Sequence, residues 1–190
     1  MKRYIHIILF SFLLLGCGTT LEPMSTYNLV IDDIKVSQKH TKYSSIQVTI
    51  PKFLQSQNSR KIFYTYDNLH QDSYLNSQWS DTLGRMLSSK ILVYLDSSKL
   101  FKDVIPYNSD IATRYRLDSI VYDISQHIQG KESFAILDIK VMLIDNQTSK
   151  IVKSKHLRYK QKTKSLDAKG FVEATNQLLN KMCQDIVGFL

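Results

Sequence analysis

The sequence predicts an α+β fold: a mostly antiparallel β-sheet with two amphipathic helices packed on one face. Three observations predict it. The hydrophobic period runs from two to near 3.6 and back, in the order strands, helix, strands, helix. Two long strand-like segments, 133–144 and 150–162, are separated only by residues 145–149, where Asp145-Asn146-Gln147-Thr148 reads as a turn whose Asp and Asn can satisfy their own backbone. The two helical segments each carry an apolar stripe that a sheet face must cover.

Taken in order, Tyr27-Asn28-Leu29-Val30-Ile31 reads as a short strand. Ile46, Val48 and Ile50 alternate with Gln47 and Thr49, and Pro51 closes that strand because proline cannot donate to a ladder. Residues 61–66, Lys-Ile-Phe-Tyr-Thr-Tyr, form another β-rich segment. Leu75, Trp79, Leu83, Met86 or Leu87, Ile91 and Tyr94 then recur at helical spacing, which predicts a helix from Ser77 to about Leu95. Its last turns, Ile91-Leu92-Val93-Tyr94-Leu95, are apolar all round and expected to be buried.

A strand over Leu100–Ile105 stops at Pro106. Residues 113–126 alternate with one slip: Tyr115 and Leu117 are in phase, then Ile120, Tyr122 and Ile124, which predicts a β-bulge. In 133–144, Ala135, Leu137, Ile139, Val141 and Leu143 share one face. The last segment, about Asp167 to Phe189, is a helix with Asp167 as N-cap and Phe171, Thr175, Leu178, Met182, Ile186 and Phe189 as its core stripe, widened by Val172, Leu179 and Cys183.

The N-terminus carries a different signal. Lys2 and Arg3 precede an apolar run over 4–16, and residues 14–17 read Leu-Leu-Gly-Cys. A transmembrane helix needs about 20 apolar residues, and this run is shorter. It resembles the lipobox of bacterial lipoproteins. That resemblance implies a signal peptide over 1–16, cleavage after Gly16, and lipid, including an acyl chain such as palmitate, on Cys17. The lipidated tether would span 17–25 and a single domain 26–190. Gly18 follows the cysteine, with no Asp there, a pattern that implies the periplasmic face of the outer membrane.

Loss of residues 1–16 would leave 174 of 190 residues, enough for one core, and would lower the net charge from +8 to +6 by removing Lys2 and Arg3. Such a basic balance suits anionic partners, among which nucleic acid is discounted for a lipid-anchored extracytoplasmic protein. With Cys17 carrying lipid, only Cys183 of the two cysteines remains. No intramolecular disulfide is then available, and the thiol is expected to be buried and inert.

The sequence points to no enzyme. His40, His70, His127 and His156 lack metal-ligand spacing, and no Cys-x-x-Cys accompanies them. Neither a glycine-rich phosphate loop nor a Gly-x-Ser-x-Gly elbow is present. His70 with Asp72, and Asp32 with Asp33, read as solvated loop residues. No metal and no cofactor beyond the covalent lipid is expected.

The one cluster with physical content is basic: Lys150, Lys153, Lys155, Arg158, Lys160, Lys162 and Lys164, with no acid among them. Alternation places Arg158, Lys160, Lys162 and Lys164 on one side of a strand and Lys153 and Lys155 on the other. These lysines read either as protection of an edge strand against aggregation or as a patch facing anionic headgroups or an acidic rim of a partner.

The ordered elements, with their punctuation, resemble the ABC-type transport auxiliary lipoproteins, the PqiC-like family. The resemblance rests on Tyr27-x-Leu29 after the lipobox, Ile50-Pro51-x-x-Leu54, a helix opened by Trp79 and continued by Leu83, Leu87 and Leu95, then Ser98-x-x-Phe101-x-x-Val104 and Tyr115-x-Leu117. Residues 62–66, Ile-Phe-Tyr-Thr-Tyr, depart from the Ile-x-Tyr-Arg often found there.

The resemblance implies a non-enzymatic outer-membrane component of an MCE-type ABC phospholipid transport system. Its partner would be an MCE-domain protein whose periplasmic conduit it docks. A homo-oligomer such as a ring would suit a conduit end, although no residue pattern specifies one. The alternative is a lipoprotein that binds lipid, or chaperones an outer-membrane component, without an ABC partner.

Overall fold

The computed structural model describes residues 23–31, 34, 41–67 and 69–190. Cys17, the signal segment, His40 and the Asp32-Asp33 pair lie outside the described residues. The strands are β1 Ser25–Tyr27, β2 Tyr43–Val48, β3 Lys52–Phe53, β4 Lys61–Tyr66, β5 His70–Trp79, β6 Phe101–Pro106, β7 Tyr115–Gln129, β8 Glu132–Asp145 and β9 Lys150–Lys162. The described helices are α1 Leu83–Ser98 and α2 Ala168–Phe189.

The nine described strands form one sheet, mixed rather than strictly antiparallel. The longest ladders, β7–β8 and β8–β9, are the expected antiparallel hairpins. The other edge of β7 receives three short strands in succession, all parallel to it: β2 beside Tyr115–Leu117, β3 beside Ile120–Val121, and β4 beside Gln126–Ile128. β6 extends β2 in parallel, and β1 extends β5 in parallel. Parallel pairs need crossovers rather than tight turns, so local turn chemistry could not announce them.

The core faces one side of the sheet. Ala135, Leu137, Ile139, Val141 and Leu143 of β8 are fully buried, as their alternation predicts. They pack with Leu117, Val121 and Ile124 of β7 and with the apolar stripes of both helices. Trp79 and Phe171 meet edge to face, with ring centroids 6.1 Å apart, and join β5 to α2.

α2 follows the sequence reading closely. Asp167 is its N-cap and accepts a 2.8 Å hydrogen bond from the Gly170 backbone amide. A side chain at 170 would run into Ser165, so the glycine permits this tight entry. Phe171, Thr175, Leu178, Met182 and Ile186 are buried, as are Val172, Leu179 and Cys183, while Phe189 is half-buried. Burial pushes the Cys183 thiol up to about 12, so it stays protonated and unreactive near neutral pH.

Four readings need correction. The first helix begins at Leu83, not near Ser77, because residues 70–79 pair with β4 as an antiparallel strand. His70 and Asp72 therefore sit on a strand, and Leu75 and Trp79 are strand residues whose helical spacing with Leu83 is coincidental. At the end of this hairpin Asp67 is in the left-handed region at φ 48°, and the Leu69 amide donates to the Tyr66 carbonyl at 3.0 Å. Val93 is exposed within the apolar end of α1. The segment after Tyr27 leaves the strand, although Leu29 stays buried.

The fourth correction concerns the bulge in β7. It falls between Val121 and Asp123, so Leu117, Ser119 and Val121 face the core before it and Ile124, Gln126 and Ile128 after it. Ile120 and Tyr122 look the other way. The buried polar Ser119 hid the true phase.

Replacing Asp167 by Ala removes the α2 cap and is expected to cost about 1 kcal/mol. A urea midpoint shift with unchanged slope checks this.

Candidate functional site

Three regions collect polar or exposed apolar groups. The first is the β7 bulge. Gln57, from the loop after β3, is buried; its side-chain amide donates to Asp123 (3.0 Å), and its carbonyl oxygen accepts from the Ile124 amide (3.0 Å). Ser125 Oγ and His127 Nε2 also meet the Asp123 carboxylate, each at 2.8 Å. Burial opposes ionisation of Asp123, but hydrogen bonds from His127, Gln57 and Ser125 outweigh it and hold the carboxyl below its ordinary range.

This group contains serine, histidine and aspartate, yet it is not arranged for nucleophilic catalysis. Serine activation needs the histidine to accept the hydroxyl proton, whereas here both side chains turn to the same carboxylate. The network locks the bulge. Among the described residues no group of three His, Cys, Asp or Glu side chains is placed to hold a metal ion.

The second region is the basic strand. β9 keeps the expected division, with Lys153 and Lys155 on the helix side and Arg158, Lys160 and Lys162 on the open face, but Lys164 lies beyond the strand and turns to Glu173 of α2 instead of joining the open face. On the helix side, Lys153 Nζ donates to the backbone oxygens of Phe189 (3.1 Å) and Leu190 (2.8 Å), and Lys155 lies 5.9 Å from the Phe189 ring centroid. Lys42 and Tyr43 donate to the same Leu190 oxygen. These donors satisfy the last carbonyls of α2 and complement its dipole.

On the open face, Arg158 Nε pairs with Asp138 at 3.0 Å, Lys160 Nζ sits 3.9 Å over the Phe134 ring, and Lys162 Nζ meets Glu132 at 2.5 Å. His156 also bonds Asp138. Lys164, beyond the end of β9, lies 3.5 Å from Glu173. β9 pairs only with β8 among the described strands, so its lysines line a sheet edge.

The third region escaped the sequence reading. Tyr27, Tyr64, Tyr66, Tyr74, Leu75, Ile128, Leu166 and Lys169 line an open cleft of about 400 Å³ between the β4–β5 hairpin and the start of α2. Tyr64 stacks at a tilt on Tyr74, with centroids 4.9 Å apart, and meets Tyr66 edge-on at 5.6 Å. The Tyr74 hydroxyl donates toward Gln126 Oε1 (2.5 Å) and the Leu166 carbonyl (2.8 Å). Burial raises its pKa, and the nearby Asp167 charge adds to the rise.

Gln126 donates in turn to Ser133 Oγ, which bonds Thr163. Thr163 Oγ1 reaches the Ser165 carbonyl at 2.7 Å, completing a buried polar chain that fixes the cleft floor. The available signal was the Tyr64-Thr65-Tyr66 alternation; treating 70–79 as loop and helix hid the strand that completes the wall.

The family model for the ABC-type transport auxiliary lipoprotein component matches residues 27–187. The chain belongs to that family. Its fold is similar to the crystal structure of protein XCC0632 from Xanthomonas campestris, of family model DUF330, with TM-score 0.75 and 16% identity over 86% of this chain and 93% of that one. A crystal structure of an uncharacterized protein aligns at TM-score 0.68, with 12% identity over 87% and 97% of the two chains. The hypothetical protein CT253 from Chlamydia trachomatis aligns at 0.51, with 8% identity over 77% and 97%. At such identities the likeness is one of fold. No curated protein matches the chain significantly.

The auxiliary lipoprotein's acid limb should depend on Asp123. Its folded-state pKa is depressed, so its stabilising effect is complete above the unfolded value near 3.9 and fades as pH falls through the folded value. Asp123→Asn is expected to flatten the loss of thermal stability below about pH 4, measured as melting temperature against pH relative to the wild type.

Proposed function

We propose that this chain is a non-enzymatic outer-membrane lipoprotein of an MCE-type ABC phospholipid transport system, where it docks the periplasmic conduit of an MCE-domain protein. Membership of the ABC-type transport auxiliary lipoprotein family over residues 27–187 carries the reading. The Leu14-Leu15-Gly16-Cys17 segment supports lipid attachment at Cys17. No helix among the described residues is long and apolar enough to cross a membrane, which is compatible with attachment through lipid. The Ser125–Asp123–His127 arrangement supports a structural role for the one constellation that resembles catalytic machinery.

The end of the sheet away from β1 is the candidate docking end. It exposes Tyr107 and Ile111 in the loop between β6 and β7, and Ile151 and Val152 in β9. The open face of β9 carries Arg158, Lys160 and Lys162 along the sheet's flank toward the β7–β8 turn, where they offer charge to an acidic partner surface that reaches past the docking end. Its ion pairs do not preclude this, since exposed pairs contribute only about 0–1 kcal/mol and exchange readily.

Chemical crosslinking in cells, with capture of the tagged full chain, is expected to recover an MCE-domain protein. Capture of other lipoprotein partners without one contradicts the reading. Replacing Lys160, Lys162 and Lys164 together by Gln is expected to lower that recovery several-fold at low salt, with the difference shrinking as screening rises. Equal recovery at low salt removes the basic face from the proposal.

A further inference from the structure

The proposed anchor at Cys17 fixes an end of the chain to a bilayer, and the register of β1 decides which end of the domain follows. β1 runs parallel to β5, with Ser25 beside Ser77 and Tyr27 beside Trp79. Parallel pairing in that register puts the N-terminal end of β1 on the side of Leu75 and the β4–β5 hairpin tip. Ser25 stands eight positions after Cys17, a reach of at most about 29 Å when extended.

That end carries the chemistry of a membrane interface. Leu69 at the hairpin turn is 82% exposed, and Leu75 is 86% exposed. Met24, Tyr66 and Leu166 are also exposed, and Tyr66, Leu75 and Leu166 share the cleft with Tyr27, Tyr64 and Tyr74. Leu69 lies beyond Tyr66 at the hairpin tip and Leu75 follows Tyr74 on the outer strand; exposed leucines beside tyrosines suit a bilayer surface, where aromatic rings with polar tips sit at headgroup depth. Single exposed leucines need no explanation, but these gather where the tether enters.

Charge at this end is close to balanced. Lys162 pairs with Glu132, Lys164 with Glu173, and the Lys169 charge acts on Asp167, while Lys131 and Lys160 at the β7–β8 end are matched in number by Asp67 and Asp72 of the hairpin. Electrostatic attraction to anionic lipid is therefore not the main contribution here, and apolar insertion is.

We propose that the β4–β5 hairpin tip and the rim of the tyrosine cleft form a second membrane contact, inserting Leu69 and Leu75 into the lipid surface beside the anchor. The inference rests on lipid attachment at Cys17. It sets the domain's orientation: the cleft end lies on the bilayer and the β8–β9 turn points away.

Nitroxide labels on Leu69→Cys, Leu75→Cys and, at the far turn, Gln147→Cys test this in the lipidated full chain. The buried Cys183 thiol stays unlabelled. The chain is reconstituted into vesicles of phosphatidylethanolamine with phosphatidylglycerol, and into vesicles of phosphatidylcholine alone. Collision with oxygen is expected to exceed collision with a water-soluble nickel complex at 69 and 75 in both lipids, with the reverse at 147.

Aqueous values at 69 and 75 on chains whose N-terminal peptide carries the lipid mass overturn the contact and leave the anchor standing; the hairpin is then free for a protein. Immersion in the anionic vesicles alone overturns the apolar basis of the proposal. A chain without lipid mass on Cys17 overturns the anchor and this orientation together.

Discussion

The structure depends on β7. Over fifteen residues this strand offers both hydrogen-bonding edges, one to β8 along its whole length and the other to β2, β3 and β4 in turn. Those four strands, with β6, β9, β5 and β1 beyond them, make one sheet because β7 is long enough to receive three crossovers on a single edge. A strand of that length coils, and the bulge at Val121–Asp123 absorbs the change of direction. Gln57 makes the bulge tolerable by bonding both the displaced Ile124 amide and Asp123. The free cysteine among the described residues is buried, so the sheet and its one core supply the cohesion.

The local signals in the sequence were strongest where partners are adjacent in the chain. The β8–β9 hairpin, its Asp145 turn, the buried face of β8, and α2 from its Asp167 cap to its apolar stripe are all visible, because each is fixed by contacts within a few residues or by simple periodicity. Asp145 accepts from the Gln147 and Thr148 amides, as such a turn requires. The parallel pairs are invisible for the complementary reason: nothing in the sequence of β2 or β4 names β7. The error over β5 has a sharper cause. Leu75, Trp79 and Leu83 stand four apart, and that spacing imitates a helix across the end of a strand and the start of the real helix.

The candidate site divides the same way. The basic residues of β9 and their alternation were legible, but not what they touch: Lys153 is a helix cap, Lys160 covers Phe134, and Arg158 shares Asp138 with His156. The tyrosine cleft required β4, β5, β7 and the α2 entry to come together, which only the tertiary fold provides. Tyr27 of β1 lines it, and the proposed membrane contact of the exposed leucines rests on that neighbourhood.

These elements make the sheet a rigid spacer between two chemically distinct ends. In the proposed role, one end is fixed at the membrane by lipid and by the hairpin, and the other is presented to the transport conduit. Position-resolved photo-crosslinking in cells tests that arrangement most directly, with a diazirine amino acid at Leu75 in one strain and at Gln147 in another. The account predicts phospholipid adducts from Leu75 and a protein adduct containing an MCE domain from Gln147. Phospholipid adducts from Gln147, with the MCE-domain protein captured at Leu75, would contradict it.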